Sequence, residues 1–553
     1  MRYCIPILFV IVVAPITSAQ TKAVQAKQGM VVCVSPPAAD VGVAVLKKGG
    51  TGVDAAVAVA FAQAVTYPPA GNIGGGGFML VHPGTDKQPT LFEYRETAPK
   101  SVKADTFVDE KSVHTHKTSG VPGTVRGMEL AHKKFGKLSW KDVVMPSVLL
   151  AEEGFILTAP MAKSLNDMLK QTKENAEFQR CFGKPNATEW QTGDRLFQKD
   201  LGRTLRMIAE KGPNAFYSGE LAELLDKEMK AGGGFITKED LAAYKANERK
   251  PIHGTYRGFD VFGPPPPSSG GICLIEMLHI VEQFDLKKHG RWSPETIHLM
   301  AEASRRAYCD RARWIGDPDF TKIPDHLISV DYARKLASDI DLKKATRSEA
   351  LADDIPLAKE GDSTTHFSII DKNGMAVSNT YTLENSYGSR VVVKGAGYLL
   401  NNEMSDFNWK PGVTKRTGQI GTRPNEVEPG KRMLSSQTPT IIARNGKVVL
   451  ITGSPGGRTI INTVFGIVVN VCEFEMDVQA AIDAPRMHHQ WFPDGIKFEG
   501  TKQYPDLVKN LTEMGHKVEY ARQGDAHSIW IDPKSGVFYG AVDKRIDGKA
   551  AGY

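Results

Sequence analysis

A chain of 553 residues is too long for one ordinary domain and long enough for a large layered assembly or for two domains. With 41% apolar residues, 24% charged residues and no long biased tract, its composition is that of a globular protein. The formal charge of +6 is small for this length, and no dense Lys/Arg run is interleaved with aromatics, which argues against a nucleic-acid binder.

The opening MRYCIPILFVIVVAPITSAQ carries one early Arg, an apolar run from Ile5 to about Ile16, and then Thr17-Ser18-Ala19. That is the pattern of a cleavable secretory signal, expected over residues 1–19. The run is shorter than the roughly 20 residues a spanning helix needs, and no later stretch reaches about 18. The expectation is an exported protein, periplasmic or secreted, with no stable membrane span after signal cleavage.

Gly52 to Val65 (GVDAAVAVAFAQAV) reads as a helix with Asp54 near its start and Pro68-Pro69 as its stop. Ser139-Trp-Lys-Asp opens another, and Thr237-Lys-Glu-Asp has the form of a capping box. Glu295 to Arg313 is a longer helix with Ile297, Met300, Ala301, Ser304 and Tyr308 along one side. The first two thirds thus reads mainly as helices. The acidic stretch 346–363 reads as an exposed linker, and beyond it the pattern turns to strands. SIIDKNGMAVSNTYTL and PTIIARNGKVVLITGS are each two β-prone runs joined at Asn-Gly, the pair that suits the positive φ of a type I′ hairpin turn. Helices follow at 458–472 and 504–515, and short strands near 528–532 and 537–542. No repeat is present, and the pattern implies a layered α/β core.

The cysteines other than Cys4 number five, an odd set without paired or metal-ligand spacing, so at least one thiol is expected to be free. The histidine pairs at 114/116 and 488/489 are ordinarily surface or core histidines, and no metal or organic cofactor is expected.

Three glycine-rich segments remain: GNIGGGGF (71–78), PPPPSSGG (264–271) and GSPGGRT (453–459). None fits a nucleotide-binding pattern, and the first two read as close backbone packing. GSPGGRT lies between the strand VVLIT and a helical run, where consecutive glycine N–H groups form an anion hole suited to a phosphate or to the oxyanion of acyl transfer. The segment GDSTTHF (361–367) sets two threonines at the start of a strand. The structural reading is ordinary β-propensity. The chemical reading is an N-terminal nucleophile, a Thr whose own freed α-amine serves as its base.

TTHFSIIDKNGMAVSNTYTL, NNEMSDF, KRMLSSQTPTII and GSPGGRT, in this order, resemble the γ-glutamyltransferase (glutathione hydrolase) family. GNIGGGGFML, FEYRETAP, SGVPGTVRGM, PPPPSSGG and a C-terminal GAVDKR…GKAAGY extend the resemblance from about residue 27 to the end. It implies a four-layer α/β/β/α sandwich of the N-terminal nucleophile hydrolase type, formed jointly by a large subunit (20–363) and a small catalytic subunit (364–553). It implies autocatalytic cleavage between Ser363 and Thr364, and Thr364 as the nucleophile that carries a γ-glutamyl ester to water or to an amino-acid or peptide amine. Thr382 would activate Thr364, and Gly456 and Gly457 would supply oxyanion N–H groups. Arg95, Ser435 and Ser436 would bind the donor's α-carboxylate, and Glu384, Glu403 and Asp406 its ammonium. Thr365 and His366 are expected to be structural neighbours.

Position 384 holds Glu where some members of the family have Asn, and Thr417, in the lid-forming segment Trp409–Lys431, stands where some carry a gating Tyr. Glutathione and other γ-glutamyl compounds are the expected donors. The alternatives are a glutaryl amidase like the cephalosporin acylases of the same fold, and an inactive secreted binding protein.

Overall fold

The computed structural model describes residues 22–352 and 364–553. The expected signal segment 1–19 and Ser363 lie outside the described residues.

Two seven-stranded antiparallel sheets form the centre. Their strands, in chain order, are β1 (Val24–Ala26), β2 (Met30–Cys33), β3 (Gly76–His82), β4 (Thr90–Glu93), β5 (Asn247–Arg249), β6 (Ile252–Tyr256) and β7 (Phe259–Gly263). The set continues with β8 (Thr365–Ile370), β9 (Ala376–Thr382), β10 (Thr440–Arg444), β11 (Lys447–Thr452), β12 (His527–Ile531), β13 (Phe538–Val542) and β14 (Lys549–Gly552). One sheet runs β14-β2-β8-β9-β3-β4-β5 and the other β1-β13-β12-β11-β10-β7-β6.

Alternation along each strand assigns its side chains to layers. In β2, Val31 and Cys33 pack on the helices α1 (Pro36–Lys47), α2 (Gly52–Thr66), α3 (Trp140–Glu152) and α5 (Lys199–Lys211), beside which α4 (Ala159–Gln171) also lies. Met30 and Val32 face the other way, against Ile441, Ile451 and Ile529 of the second sheet. That sheet's far face, with Val261, Ile442 and Leu450, is covered by α6 (Gly270–Glu282), α7 (Pro294–Trp314) and α8 (Thr459–Val468). The result is the expected four-layer sandwich.

Local signals behave as read where they are strong. Thr51 and Asp54 form a capping box at α2, Thr237 and Asp240 another at the helix Lys238–Ala243, and Ser139 caps α3. Asn445 and Gly446 adopt φ of 52° and 71°, giving the two-residue hairpin between β10 and β11. The first Asn-Gly departs from expectation. Only Gly374 is left-handed there, and the β8–β9 loop runs from Asp371 to Met375 because the Asp371 carboxylate accepts both Asn373 N–H (2.8 Å) and Met375 N–H (3.1 Å).

Two further readings are corrected, and that of the long helix is borne out and extended. The region before residue 364 contributes seven strands to the two sheets, β3 among them inside the glycine run. A Cβ at Gly77 would stand 2.3 Å from the Thr380 carbonyl oxygen, so the close packing read from the sequence is that of paired strands. Helix α7 is buried on every side from Thr296 to Ala312, and its charges are internally paired, Glu302 with Arg305 and Arg306. The start of the 346–363 stretch is no exposed linker, since Ser348 is fully buried in a short 3-10 turn.

Candidate active site

Thr364 heads β8, directly before Thr365 of the strand, and is 9% exposed. On this strand Phe367 and Ile369 point to the helices, so Thr364, His366 and Ser368 point into the gap between the sheets. The gap is apolar around Met30 and Phe78 but lined with hydroxyls near Thr364. Ser368 donates to the His527 carbonyl (2.8 Å), Ser378 to the Thr452 carbonyl (2.9 Å), and Thr452 bonds Ser528 (2.8 Å). Ser368 of β8 and Ser378 of β9 therefore join the two sheets, while the Thr452–Ser528 bond lies within the second sheet.

Register places Thr382, at the end of β9, across from Thr364, because Thr365 pairs with Tyr381. The two hydroxyl oxygens are 3.4 Å apart. Thr382 Oγ1 also accepts the Glu384 N–H at 2.8 Å, and its carbonyl accepts the Asn72 side-chain amide at 2.9 Å. Asn72 Oδ1 in turn receives Gly75 N–H (3.0 Å) and the Thr124 hydroxyl (2.7 Å). Asn72 was not singled out from the sequence, although a lone amide inside a run of glycines is the signal that would have found it.

Glu384 sits at φ 74°, a left-handed backbone that costs a non-glycine residue of order 1 kcal/mol or more. It is held there by Asn402, whose Oδ1 accepts Asn385 N–H (3.0 Å) and whose own N–H donates to the Leu383 carbonyl (3.0 Å). The strain turns Glu384 toward Glu403 and Asp406, and carboxylate oxygens of the three lie within 4.8 Å of one another. Arg95, fully buried just beyond β4, joins this trio through Nη1 to Glu403 (2.6 Å) and Nη2 to Asp406, while its Nε donates to the Met433 carbonyl (3.3 Å). Burial pushes the Glu403 and Glu96 carboxyls up, Glu96 to about 7, and Arg95 pulls both back down. Arg95 and the acidic pair, expected to grip opposite ends of a substrate, are thus in direct contact with each other.

The loop carrying Gly456 and Gly457 joins β11 to α8, as its sequence implied. Gly453 lies so close to the His366 ring that a Cβ would stand 2.3 Å from it, which puts the start of this loop against the same strand face as Thr364. Gly456 at φ 125° and Gly457 at φ 54° need glycine's freedom. His366 bonds Thr380 (2.8 Å) and Ser368 (3.1 Å), and burial holds its pKa well below the ordinary value, which suits a structural neighbour.

Ser435 and Ser436 have other partners. Ser435 N–H donates to the Pro267 carbonyl and its carbonyl accepts Ser269 N–H, both at 2.8 Å, while Ser436 Oγ accepts Arg311 at 3.1 Å. The lid-forming segment is folded against the site. Trp409 stacks on Phe107 at 5.2 Å, Asn425 donates to the Asp406 carbonyl (2.6 Å), and Arg458 donates to the Gly418 carbonyl (2.7 Å). Thr417 is exposed. A cavity of about 320 Å³ opens between Glu384, Asn385, Asp406 and Trp409.

The histidine pairs lie apart from this cavity's acids. His488 bonds Asn462 and Gln490, His489 faces Asp494, His114 bonds the Gly388 carbonyl, and His116 pairs with Glu228. The five described cysteines are free thiols.

Comparison with known proteins bears on this arrangement over nearly the whole chain. The sequence profile of the gamma-glutamyltranspeptidase family matches residues 38–553. The glutathione hydrolase proenzyme of Escherichia coli (strain K12) is 45% identical over 540 residues, covering 96% of this chain and 93% of the relative. The acylase ACY 1 proenzyme of Pseudomonas sp. (strain SE83) is 32% identical, covering 96% and 94%. Among solved structures, the cephalosporin acylase of Bacillus halodurans superposes with a TM-score of 0.85 at 27% identity, covering 99% of both chains. With the profile spanning the Thr364 strand, the acidic trio and the glycine loop alike, the chain belongs to the gamma-glutamyltranspeptidase family.

Proposed function

We propose that this protein is an autoprocessed γ-glutamyltransferase and glutathione hydrolase, exported by its 1–19 segment and matured into chains 20–363 and 364–553. The observation that carries the reading is the pair of hydroxyls at Thr364 and Thr382, 3.4 Å apart at the mouth of the inter-sheet gap.

In maturation, Thr364 Oγ attacks the Ser363 carbonyl carbon, the C–N bond to Thr364 breaks, and water hydrolyses the resulting ester. The freed α-amine, with an ordinary pKa near 8, then takes the Oγ proton as Oγ attacks the donor's γ-carbonyl. Thr382 holds Oγ in line, and the N–H groups of Gly456 and Gly457 receive the oxyanion. The leaving amine departs with the proton, and water or an acceptor amine releases the γ-glutamyl group from Thr364. Arg95, with Ser435 and Ser436, takes the donor α-carboxylate, and Glu384, Glu403 and Asp406 take its ammonium.

Four carboxyl groups, Glu96, Glu384, Glu403 and Asp406, gather about one guanidinium, which favours an amino-acid donor over a glutaryl amide, because such a cluster must either take up protons or receive a second cation. The lower identity to the acylase relative agrees with this. No described helix is long and apolar enough to cross a membrane, which is compatible with export.

Intact-mass analysis with a γ-glutamyl anilide assay tests the reading. Two chains, the lighter beginning at Thr364, and turnover of the anilide are expected. Thr364→Ala should remain uncut and lose turnover by on the order of 10⁴-fold or more. A single uncut wild-type chain, or equal turnover by Thr364→Ala, would remove the assignment.

A further inference from the structure

Beside the 320 Å³ cavity lies a second groove of about 510 Å³. The two share Asn385, and the adjacent residues Val113 and His114 line one each, so the second groove is the neighbour of the first on the side away from Glu384. The walls of the second groove come from α4, with Lys163, Asp167 and Gln171, and from the 385–390 loop.

Arg390 closes this groove. Its backbone is left-handed, at φ 64°, and is fixed by its N–H to the Tyr387 carbonyl (3.0 Å) and by the Asn175 amide on its own carbonyl (2.9 Å). The guanidinium has one neutral partner, Gln171 Oε1 at 3.0 Å from Nη2, and no ion pair to it is found among the described residues. Its Nε is buried without a hydrogen-bond partner. The groove's one carboxylate, Asp167, is paired with Lys163 on the same helix. Partial desolvation lowers the Arg390 pKa, whereas at Arg95 the surrounding carboxylates outweigh burial and raise it. His114 Nδ1–H donates to the Gly388 carbonyl at 3.2 Å and adds no negative charge to the groove.

We propose that Arg390 forms a subsite for the terminal carboxylate of a peptide whose other end reacts at Thr364. The inference rests on the activity proposed above and extends it to the part of the substrate beyond the scissile bond. A guanidinium with spare N–H donors, in a groove that shares Asn385 with the cavity of the acidic trio, matches an extended di- or tripeptide ending in a carboxylate. That carboxylate belongs either to the peptide portion of the donor or to an acceptor peptide.

The test compares wild type, Arg390→Gly and Arg390→Lys. Glycine accepts the left-handed backbone without cost, so the variant removes the cation while keeping the fold. Losing a charge-assisted hydrogen bond at a partly exposed site is worth about tenfold in affinity. For a donor subsite, the ratio of KM for glutathione hydrolysis to KM for γ-glutamyl anilide hydrolysis should rise about tenfold in Arg390→Gly and largely recover in Arg390→Lys. For an acceptor subsite, that ratio holds and the KM for glycylglycine, with the anilide as donor, rises by the same factor. If neither value moves, or all rise together, the subsite is overturned. Should the wild type turn over no γ-glutamyl compound, the activity reading fails by itself. Calorimetric titration with glycylglycine then decides the subsite: binding lost in Arg390→Gly supports it, and binding that is unchanged, or missing from the wild type, overturns it.

Discussion

Ser348 and Trp491 bond each other twice. The indole N–H donates to the Ser348 carbonyl at 2.8 Å, and the Ser348 hydroxyl donates to the Trp491 carbonyl at 2.7 Å. Arg305 adds an N–H to the same hydroxyl at 2.7 Å, and Asp494 accepts Ser348 N–H at 2.8 Å. The segment leading to the proposed cut is therefore anchored to the chain that follows it. Ser348→Ala should leave a buried carbonyl and a guanidinium N–H short of partners and cost about 1–3 kcal/mol. The predicted reading is a lower urea midpoint at unchanged m-value, and an unchanged midpoint would show that the anchor contributes nothing.

Thr382→Val keeps the β-branched shape in β9 but removes the oxygen that meets Thr364 Oγ and accepts the Glu384 N–H. We expect kcat to fall by ~10²-fold or more, with self-cleavage slowed in a mass-spectrometric time course. Thr382→Ser should retain most of both. A Thr382→Val enzyme as fast as wild type would reduce Thr382 to a strand residue.

Arg95→Ala would strip the counter-charge from Glu403, Asp406 and Glu96. Breaking a buried ion pair from one side costs about 3–5 kcal/mol, so thermal unfolding should come markedly earlier. Arg95→Lys keeps the charge but not the fork, and should fold while raising the donor KM by about 10–100-fold. Equal KM values in the lysine variant and the wild type would place the donor carboxylate elsewhere.

His298 Nδ1 and His516 Nε2 are 2.8 Å apart, one donating and one accepting, in a buried pocket. Burial, then the His298 beside it, pushes the His516 pKa from 6.5 down to about 3; Arg305 and His489 act the same way and Glu302 opposes them. The folded protein thus favours neutral His516. The stability it supports is complete above pH 6.5 and drains away as the pH falls toward 3, because the unfolded chain binds the proton first. His516→Asn should flatten the pH dependence of unfolding free energy between pH 6 and 4 by up to one proton, about 1.4 kcal/mol per pH unit. A slope identical to wild type would contradict the assigned shift.

What the sequence disclosed follows from the range of the forces involved. Local rules operated where the deciding partners are near in the chain: Thr51 with Asp54, Thr237 with Asp240, and Asn445-Gly446 at a two-residue turn. They failed in turn type at Asn373-Gly374, where the Asp371 side chain takes the turn's N–H groups, and they found α7 without disclosing that its polar side is buried too. The site residues were legible as motifs. Their contacts were not, because Arg95 meets Asp406 across 311 residues, and nothing local distinguishes a guanidinium that waits for a substrate from one already paired. Asn72 and Asn402 were passed over for the same reason, since each acts by holding backbone that belongs to another part of the chain.

The order of strands in the first sheet has a consequence for the timing of maturation. β14 and β8, from after residue 364, flank β2 from before it, while β9 lies against β3. In the second sheet β1 caps β13, and β7 lies against β10. Neither product of the proposed cut owns a complete sheet, and each would expose unpaired inner strand edges if made by itself. Thr365, beside the proposed cut, is paired with Tyr381 inside the sheet. The two pieces would have to be woven as one cloth before being divided, so the scissors would come only after the loom.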